Sequence, residues 1–143
     1  NPIYTILLGA SSGGSYFLLY NNIIKANLTL SFLPQIKLLK TKYHNSWKKN
    51  LYEKYCSFGK DITSKYFNLD KHQPFLNRTY VFVQSNVDDN NEVNNLDKLD
   101  PLLSIVKISE KESHAIIDLF PSKEAIYKFI CSTIENELHI KLN

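Results

Sequence analysis

The sequence predicts an α/β protein: a mostly parallel sheet with helices on both faces. Two observations carry this. Short apolar, β-branched runs alternate along the chain with segments of helical periodicity, the pattern of strands joined by crossover helices. The first run also ends in a cluster of glycines that opens directly into a helical pattern. Strands in such an arrangement are covered on both faces.

The elements follow in order. Tyr4-Thr5-Ile6-Leu7-Leu8 reads as a buried strand stopped by Gly9. From Ser15 to Ala26, Phe17, Leu18, Tyr20, Ile23 and Ile24 recur at helical spacing. Leu28 to Leu33 is the next strand, ended by Pro34, which cannot donate to a ladder. From residue 36 to 78 the pattern loosens into a basic, mainly helical insertion. Thr79 to Gln84 is the clearest strand, and a polar loop rich in Asn and Asp follows it. A short helix is expected over Glu92 to Leu99, then a strand from Leu103 to Ile108. Ser122 suits the N-cap of a last helix, with Glu124 in its first turn and an apolar stripe of Ile126, Phe129, Ile130, Ile134 and Leu138.

With 143 residues, the chain is long enough for one compact domain with a real core, not two. Its 43% hydrophobic and 22% charged residues are ordinary for a globular protein. No apolar run approaches a membrane span, no basic-then-apolar leader opens the chain, and a cytoplasmic location is expected. The chain starts with Asn, contains no Met and opens almost at once into a strand, so it reads as a piece of a longer protein. Cys56 and Cys131 lack metal-ligand spacing and read as two buried thiols.

The net charge of +3 is unevenly spread: residues 37–78 hold ten Lys and Arg against three acids, and residues 79–143 hold six against eleven. A basic middle suits an anionic substrate or polymer. It equally suits a lysine-rich helical face in water, the plainer reading. The aromatic residues within it (Tyr43, Trp47, Tyr52, Tyr55) raise nucleic-acid binding, but no binding-motif spacing accompanies them.

The chemistry gathers at Gly9-Ala10-Ser11-Ser12-Gly13, followed by Gly14. Three of the chain's four glycines lie in these six residues. A chance Gly-x-Ser-x-Gly in this length is on the order of one in twenty, so the strand before it and the helix after it give the motif its weight. That context is a nucleophile elbow: a serine on a sharp turn, with small residues two positions either side where strand and helix pass close. The N–H of Ser12 would then face a developing oxyanion. A nucleophilic serine needs a base, and the base needs an orienting acid. Asp88-Asp89 follow the strand ending at Gln84, and His114 follows the strand ending at Ile108, so acid and base fall at later strand ends in the order Ser, Asp, His. A phosphate-binding turn is the rival, but neither the Walker lysine nor Gly-x-Gly-x-x-Gly is present. Asp88 and Asp89 also read as simple turn residues, and His114 as a surface histidine.

These residues resemble the C-terminal, elbow-to-end portion of an α/β-hydrolase-superfamily protein, a likeness that covers nearly the whole chain and leaves the fold's N-terminal strands missing. More narrowly, Leu7-Leu8-Gly9-Ala10-Ser11-Ser12-Gly13-Gly14 and Leu30-Ser31-Phe32-Leu33-Pro34-Gln35 are similar to bacterial hydrolase-like proteins of surface-polysaccharide loci, O-acetyltransferases among them. Asn86-Val87-Asp88-Asp89 lines up with that family's Gly-x-Asp-Asp loop; Asn replaces Gly and tolerates left-handed backbone best of the other residues. Ser113-His114 stands where the family often has Gly-His.

The resemblance implies acyl transfer or ester hydrolysis through an acyl-serine: Ser11 the nucleophile, His114 the base, Asp89 the acid with Asp88 in reserve, and Ser12 half of the oxyanion hole. It implies no cofactor, with acyl-CoA a conceivable co-substrate, and an acyl donor with a carbohydrate acceptor as partners. Lys48, Lys49 and Lys54 could meet an anionic glycan or the phosphates of an acyl-CoA. The second oxyanion N–H normally comes from an earlier strand. It must come from missing N-terminal strands or a partner chain, and the piece alone should be inactive. The alternative is a non-catalytic interaction subunit on the same scaffold.

Overall fold

The structure, a computed structural model, describes residues 3–34, 36, 73–84, 93, 94, 96–109 and 115–142. Within them, four strands form one sheet: β1 (Ile6–Ala10), β2 (Leu28–Phe32), β3 (Arg78–Gln84) and β4 (Leu103–Ser109). They lie in the order β1-β2-β3-β4, every pair parallel, with Ile6 opposite Leu28 and Leu28 opposite Arg78. Three helices accompany them: α1 (Ser12–Ile24), α2 (Ile116–Leu119) and α3 (Lys123–Leu138).

The two faces of the sheet are read directly from its period of two. Val81 and Val83 face the α1 side, where they join buried Leu18, Leu19, Ile36 and Phe75. Leu28, Leu30, Phe32 and Phe82 face the α3 side and pack with Ile134, Phe129, Ile130 and Leu138. Phe32 stacks on Phe82 at 4.5 Å between ring centroids, and Phe129 meets Phe82 edge-on at 5.2 Å. With both faces covered, all five residues of β2 are buried. The expected stripe on α3 is therefore real, and its cap is as expected too: the Ser122 hydroxyl accepts from the Ala125 N–H at 3.2 Å. Glu124, beside it, is held below its ordinary value by its own backbone N–H and by Ser122.

Several boundaries differ from the sequence reading. β1 does not stop before Gly9 but runs through it to Ala10, and α1 starts at Ser12 rather than Ser15. The glycines here serve close approach of strand and helix, not termination. Of the helix expected over Glu92 to Leu99, Val93 is helical, Glu92 and Asn95 lie outside the described residues, and the chain from 96 to 102 turns instead. Asp97 favours the turn at the end of this stretch, because its carboxylate accepts the Leu99 N–H at 2.9 Å and draws it away from helical pairing; Asp100 does the same to the Leu102 N–H at 3.0 Å at the entry of β4. The single turn α2 is too short to show a period in sequence. Cys131 is half-buried rather than buried, and Cys56 lies outside the described residues. Of the basic insertion, 37–72, which include Lys48, Lys49 and Lys54, also lie outside them, and 73–77 run irregularly into β3.

At the N-terminal end of the strands a closed polar network ties α1 to the sheet. The Asn21 amide donates to Thr29 Oγ1 at 2.9 Å and Thr79 Oγ1 at 2.7 Å. Asn77 donates back to Asn21 Oδ1 at 2.6 Å and accepts from Thr29 Oγ1 at 3.3 Å, while Thr79 Oγ1 donates to the Asn77 carbonyl. All four residues are buried. Nearby, buried Asp100 accepts from the Phe75 N–H at 2.8 Å and joins the entry of β3 to that of β4.

The Tyr80 hydroxyl donates to Glu137, which also pairs with Arg78 Nε at 3.4 Å, so β3 is tied to the end of α3. Burial first, then the bond to Glu137, raises the phenol above its ordinary value of 10.0. A raised folded value gives stability that is fully present below the unfolded phenol range and lost as pH climbs through the raised value. Tyr80→Phe is therefore expected to flatten the alkaline limb of a stability–pH profile, read as urea midpoints at stepped pH. An alkaline limb identical to that of the parent chain would refute this.

Candidate active site

All four strands deliver their C-terminal ends to one end of the sheet, as parallel strands must. Two of those exits have the same construction. Ser11 follows β1 with φ 51° and Leu33 follows β2 with φ 49°, both in the left-handed region that L-residues avoid. Each is fixed by a hydrogen bond to the next strand: Ser11 N–H to the Phe32 carbonyl and Leu33 N–H to the Phe82 carbonyl, both at 2.8 Å.

Ser11 is the sharper case, with φ 51° and ψ −123°. Such a conformation costs about 1–3 kcal/mol and persists only where the surroundings enforce it. Here they do. Its N–H is held by Phe32, and its carbonyl accepts from the Ser15 N–H at 3.0 Å and the Ser15 hydroxyl at 3.1 Å. Both flanking peptides are thus pinned while the side chain is left over. Among the described residues nothing bonds the Ser11 hydroxyl, which makes no capping bond to α1. The residue itself is only half-buried.

The glycines explain how strand and helix come so close. A Cβ on Gly9 would stand 2.7 Å from the Gly13 carbonyl carbon and 2.8 Å from its oxygen. A Cβ on Gly14 would stand 2.7 Å from Ser31 Oγ and 3.2 Å from the carbonyl oxygens of Gly9 and Phe32. Gly13, by contrast, has no described residue within 4 Å of where a Cβ would go. The sequence rule of small residues two positions either side of the serine is therefore corrected on the downstream side: Gly14 is the position that must stay bare. Ser31, which sequence reading passed over, is fully buried with no partner for its hydroxyl among the described residues, pressed against Gly14. The Gly-Gly pair was the one signal that could have pointed to this crossing.

Ser12, exposed, is the first residue of α1. Its N–H belongs to the helix's unpaired first turn, where the dipole favours negative charge. The structure thus brings Ser11 and Ser12 together at a helix N-terminus. Asp88, Asp89 and His114 lie outside the described residues, just past the ends of β3 and β4. A groove of about 430 Å³ opens on the β3–β4 side, lined by Val83, Val93, Leu103 and Ile105 with Lys98 and Lys107; Ser11 is not part of its lining. Among the described residues no group of three His, Cys, Asp or Glu side chains could hold a metal, and no helix is long and apolar enough to cross a membrane.

Solved structures with this arrangement exist. Esterase B from Lactobacillus rhamnosis, solved with a tributyrin phosphonate inhibitor, superposes over 95% of this chain with a TM-score of 0.68 at 12% identity. The fold is that of the α/β hydrolases. An α/β hydrolase from the metagenome of lagoon sediments at Mar Chica, Morocco, matches 94% of the chain (TM-score 0.57, 16% identity). An esterase of Pyrobaculum calidifontis matches 91% (TM-score 0.59, 13% identity). The chain spans about half the length of these structures: 53%, 62% and 50% of each. No protein-family model and no curated protein matches the sequence.

Proposed function

We propose that this chain supplies the nucleophile of an esterase or acyltransferase that works through an acyl-Ser11 intermediate. The observation that carries the reading is the enforced backbone of Ser11, with φ 51° and ψ −123° between a parallel strand and a helix and its hydroxyl left unbonded among the described residues. Strain held by surrounding bonds points to use at that residue. That the matching structures are named esterases supports the same class of chemistry.

In this reading His114 takes the Ser11 proton as the oxygen attacks the ester carbonyl, and Asp89 orients His114. The bond to the leaving alkoxide breaks as His114 returns the proton to it. Water or a hydroxyl acceptor, deprotonated by His114 in turn, then releases the acyl group. The Ser12 N–H supplies one oxyanion donor. Reach supports the assignment: β4 lies three strands from β1, roughly 14 Å at about 4.8 Å per step. His114 stands five residues past Ser109, a span of up to roughly 17 Å of extended chain. An O-acetyl group on a bacterial surface polysaccharide, with acyl-CoA as donor, is the narrower substrate proposal, and it stands on the resemblance alone.

The second reading, a non-catalytic interaction subunit, draws on the outer edge of β1, which no strand meets among the described residues. A fluorophosphonate probe separates the two. Applied to the protein isolated from its natural source, it is expected to modify Ser11 in peptide mapping, and Ser11→Ala to abolish the modification and at least about 10³-fold of any ester turnover. Undiminished turnover in Ser11→Ala would defeat the catalytic reading.

A further inference from the structure

Parallel pairing gathers the entries of all four strands at one end of the sheet, opposite Ser11. Of the exposed large hydrophobic side chains among the described residues, the four barest are Ile3, Leu99, Ile23 and Leu76, at 91%, 89%, 69% and 67%. Each stands where the chain turns into a strand. Ile3 lies three residues before β1, Leu76 two before β3 and Leu99 four before β4. Ile23 sits in the last turn of α1, which leads into β2. Single apolar residues scattered over a surface need no explanation; four gathered at one end of the fold mark a place of contact.

The four entries are tied to one another. Asn27 and Thr5 exchange two bonds, both at 2.8 Å, between the entries of β1 and β2. Asn22 donates to the Pro74 carbonyl at 3.0 Å and accepts from the Leu76 N–H at 2.8 Å, which joins α1 to the entry of β3. The Gln73 amide donates to the Asp97 carbonyl at 3.0 Å and accepts from the Asp97 N–H at 2.6 Å, which joins that entry to the entry of β4. The apolar side chains therefore protrude from a fixed row of loops, roughly 14 Å wide at about 4.8 Å per strand. The charges at this end are sorted. Asp97 accepts from the Leu99 N–H, buried Asp100 from the Phe75 N–H and Glu135 from the Leu142 N–H, while Glu137 pairs with Arg78. Lys25 and Lys98 are exposed, and among the described residues neither meets an acid; Lys98 donates to the Asn94 amide oxygen.

We infer that this end is a docking face for a membrane surface that contains anionic lipid. Ile3, Ile23, Leu76 and Leu99 enter the boundary between headgroups and acyl chains, as apolar side chains of interfacial proteins do. Lys25 and Lys98 stay at headgroup level against the lipid's negative charge. A protein partner would call for a different composition: interface cores are rich in aromatic residues and arginine and poor in lysine. Here the protruding row is Ile and Leu, and the cations without an acid beside it are lysines. The attachment is peripheral, through loop tips, and needs no spanning helix. It stands the sheet on end, strand entries towards the lipid. Ser11, eight residues along from Ile3, is then held roughly 26 Å further out at about 3.3 Å per residue. The face rests on the fold alone and does not depend on Ser11 being a nucleophile.

The test is co-sedimentation of the whole protein, produced in its natural source and purified, with lipid vesicles. One set is phosphatidylcholine alone, the other phosphatidylcholine and phosphatidylserine in equal parts. Binding is expected to the mixed vesicles. Leu76→Ser with Leu99→Ser, at exposed positions, should lower it at least about tenfold while the circular dichroism is kept. Lys25→Glu with Lys98→Glu should lower it about tenfold and leave any binding to phosphatidylcholine alone as it was. Tyr127→Ser, at a 65% exposed position on α3, should change nothing. Protein that stays in the supernatant with both vesicle sets overturns the inference. So does a Leu76 and Leu99 double variant that binds as the parent does, or a loss that Tyr127→Ser matches. Equal binding to both vesicle sets overturns the anionic-lipid assignment. A double variant that keeps its vesicle binding but breaks up a dimer, or releases a co-purifying protein, gives the face to a protein partner instead. None of these readouts involves Ser11.

Discussion

Gly9→Ala is expected to destabilise the chain by about 3 kcal/mol or more, towards the upper end for an overpacked site. The added methyl would stand 2.7 Å from the Gly13 carbonyl carbon and 2.8 Å from its oxygen, and these are backbone atoms that no rotamer change can move aside. Either α1 lifts off β1 or the elbow opens, and each loses the bonds that hold Ser11 at φ 51°. Gly13→Ala provides the contrast. Among the described residues nothing lies within 4 Å of its would-be Cβ, and alanine is favoured over glycine within a helix by up to about 1 kcal/mol. It should therefore be neutral or slightly stabilising. Urea unfolding of the two variants decides the matter, and a larger loss in Gly13→Ala than in Gly9→Ala would show that the crossing has been misplaced.

Asn21→Leu should cost about 3–5 kcal/mol, because it strands several buried groups at roughly 1–3 kcal/mol each. Thr29 and Thr79 lose the donor to their hydroxyl oxygens, and the Asn77 amide loses Asn21 Oδ1. Against a typical total of about 5–15 kcal/mol, that is enough to unfold much of the population on warming. The asymmetry between a missing partner and a missing network gives a stricter check. Adding Thr29→Val, Thr79→Val and Asn77→Leu removes the stranded groups and should recover a substantial part of the loss in thermal or urea unfolding. A quadruple variant no better than the single one would mean that packing, rather than polar satisfaction, gives Asn21 its weight.

Much of the architecture was legible because it rests on period and punctuation. The strand at 28–32 is apolar at every second position and bounded by Asn27 and Pro34, and the last helix announces itself with Ser122 and a clean stripe. What sequence could not resolve depends on tertiary contact. Gly9 looks like a strand stop, and only the proximity of Gly13 shows that it lies within the strand. Gly13 and Gly14 are chemically identical in sequence; the position of Ser31 on the next strand distinguishes them. The segment before Pro101 has the composition of a short helix, but an Asx turn at Asp97 captures the Leu99 N–H and the chain turns from 96 onward. At the site, the elbow was readable as a motif with its context. The acid and base were assigned from their order at later strand ends and from the resemblance, and Asp89 and His114 stand beyond the described residues.

The buried amide of Asn77 bears on how the chain is made. Asn77-Arg78-Thr79 and Asn27-Leu28-Thr29 both have the sequence of a glycan acceptor. Asn27 is exposed, whereas both ends of the Asn77 side chain are engaged inside the network. In a cell that glycosylates secreted chains, Asn77 could receive a sugar only before folding, and the sugar would then keep α1 from closing on the sheet. Synthesis there becomes a race between the transferase and the closing of that lock, which production in a host lacking the modification avoids.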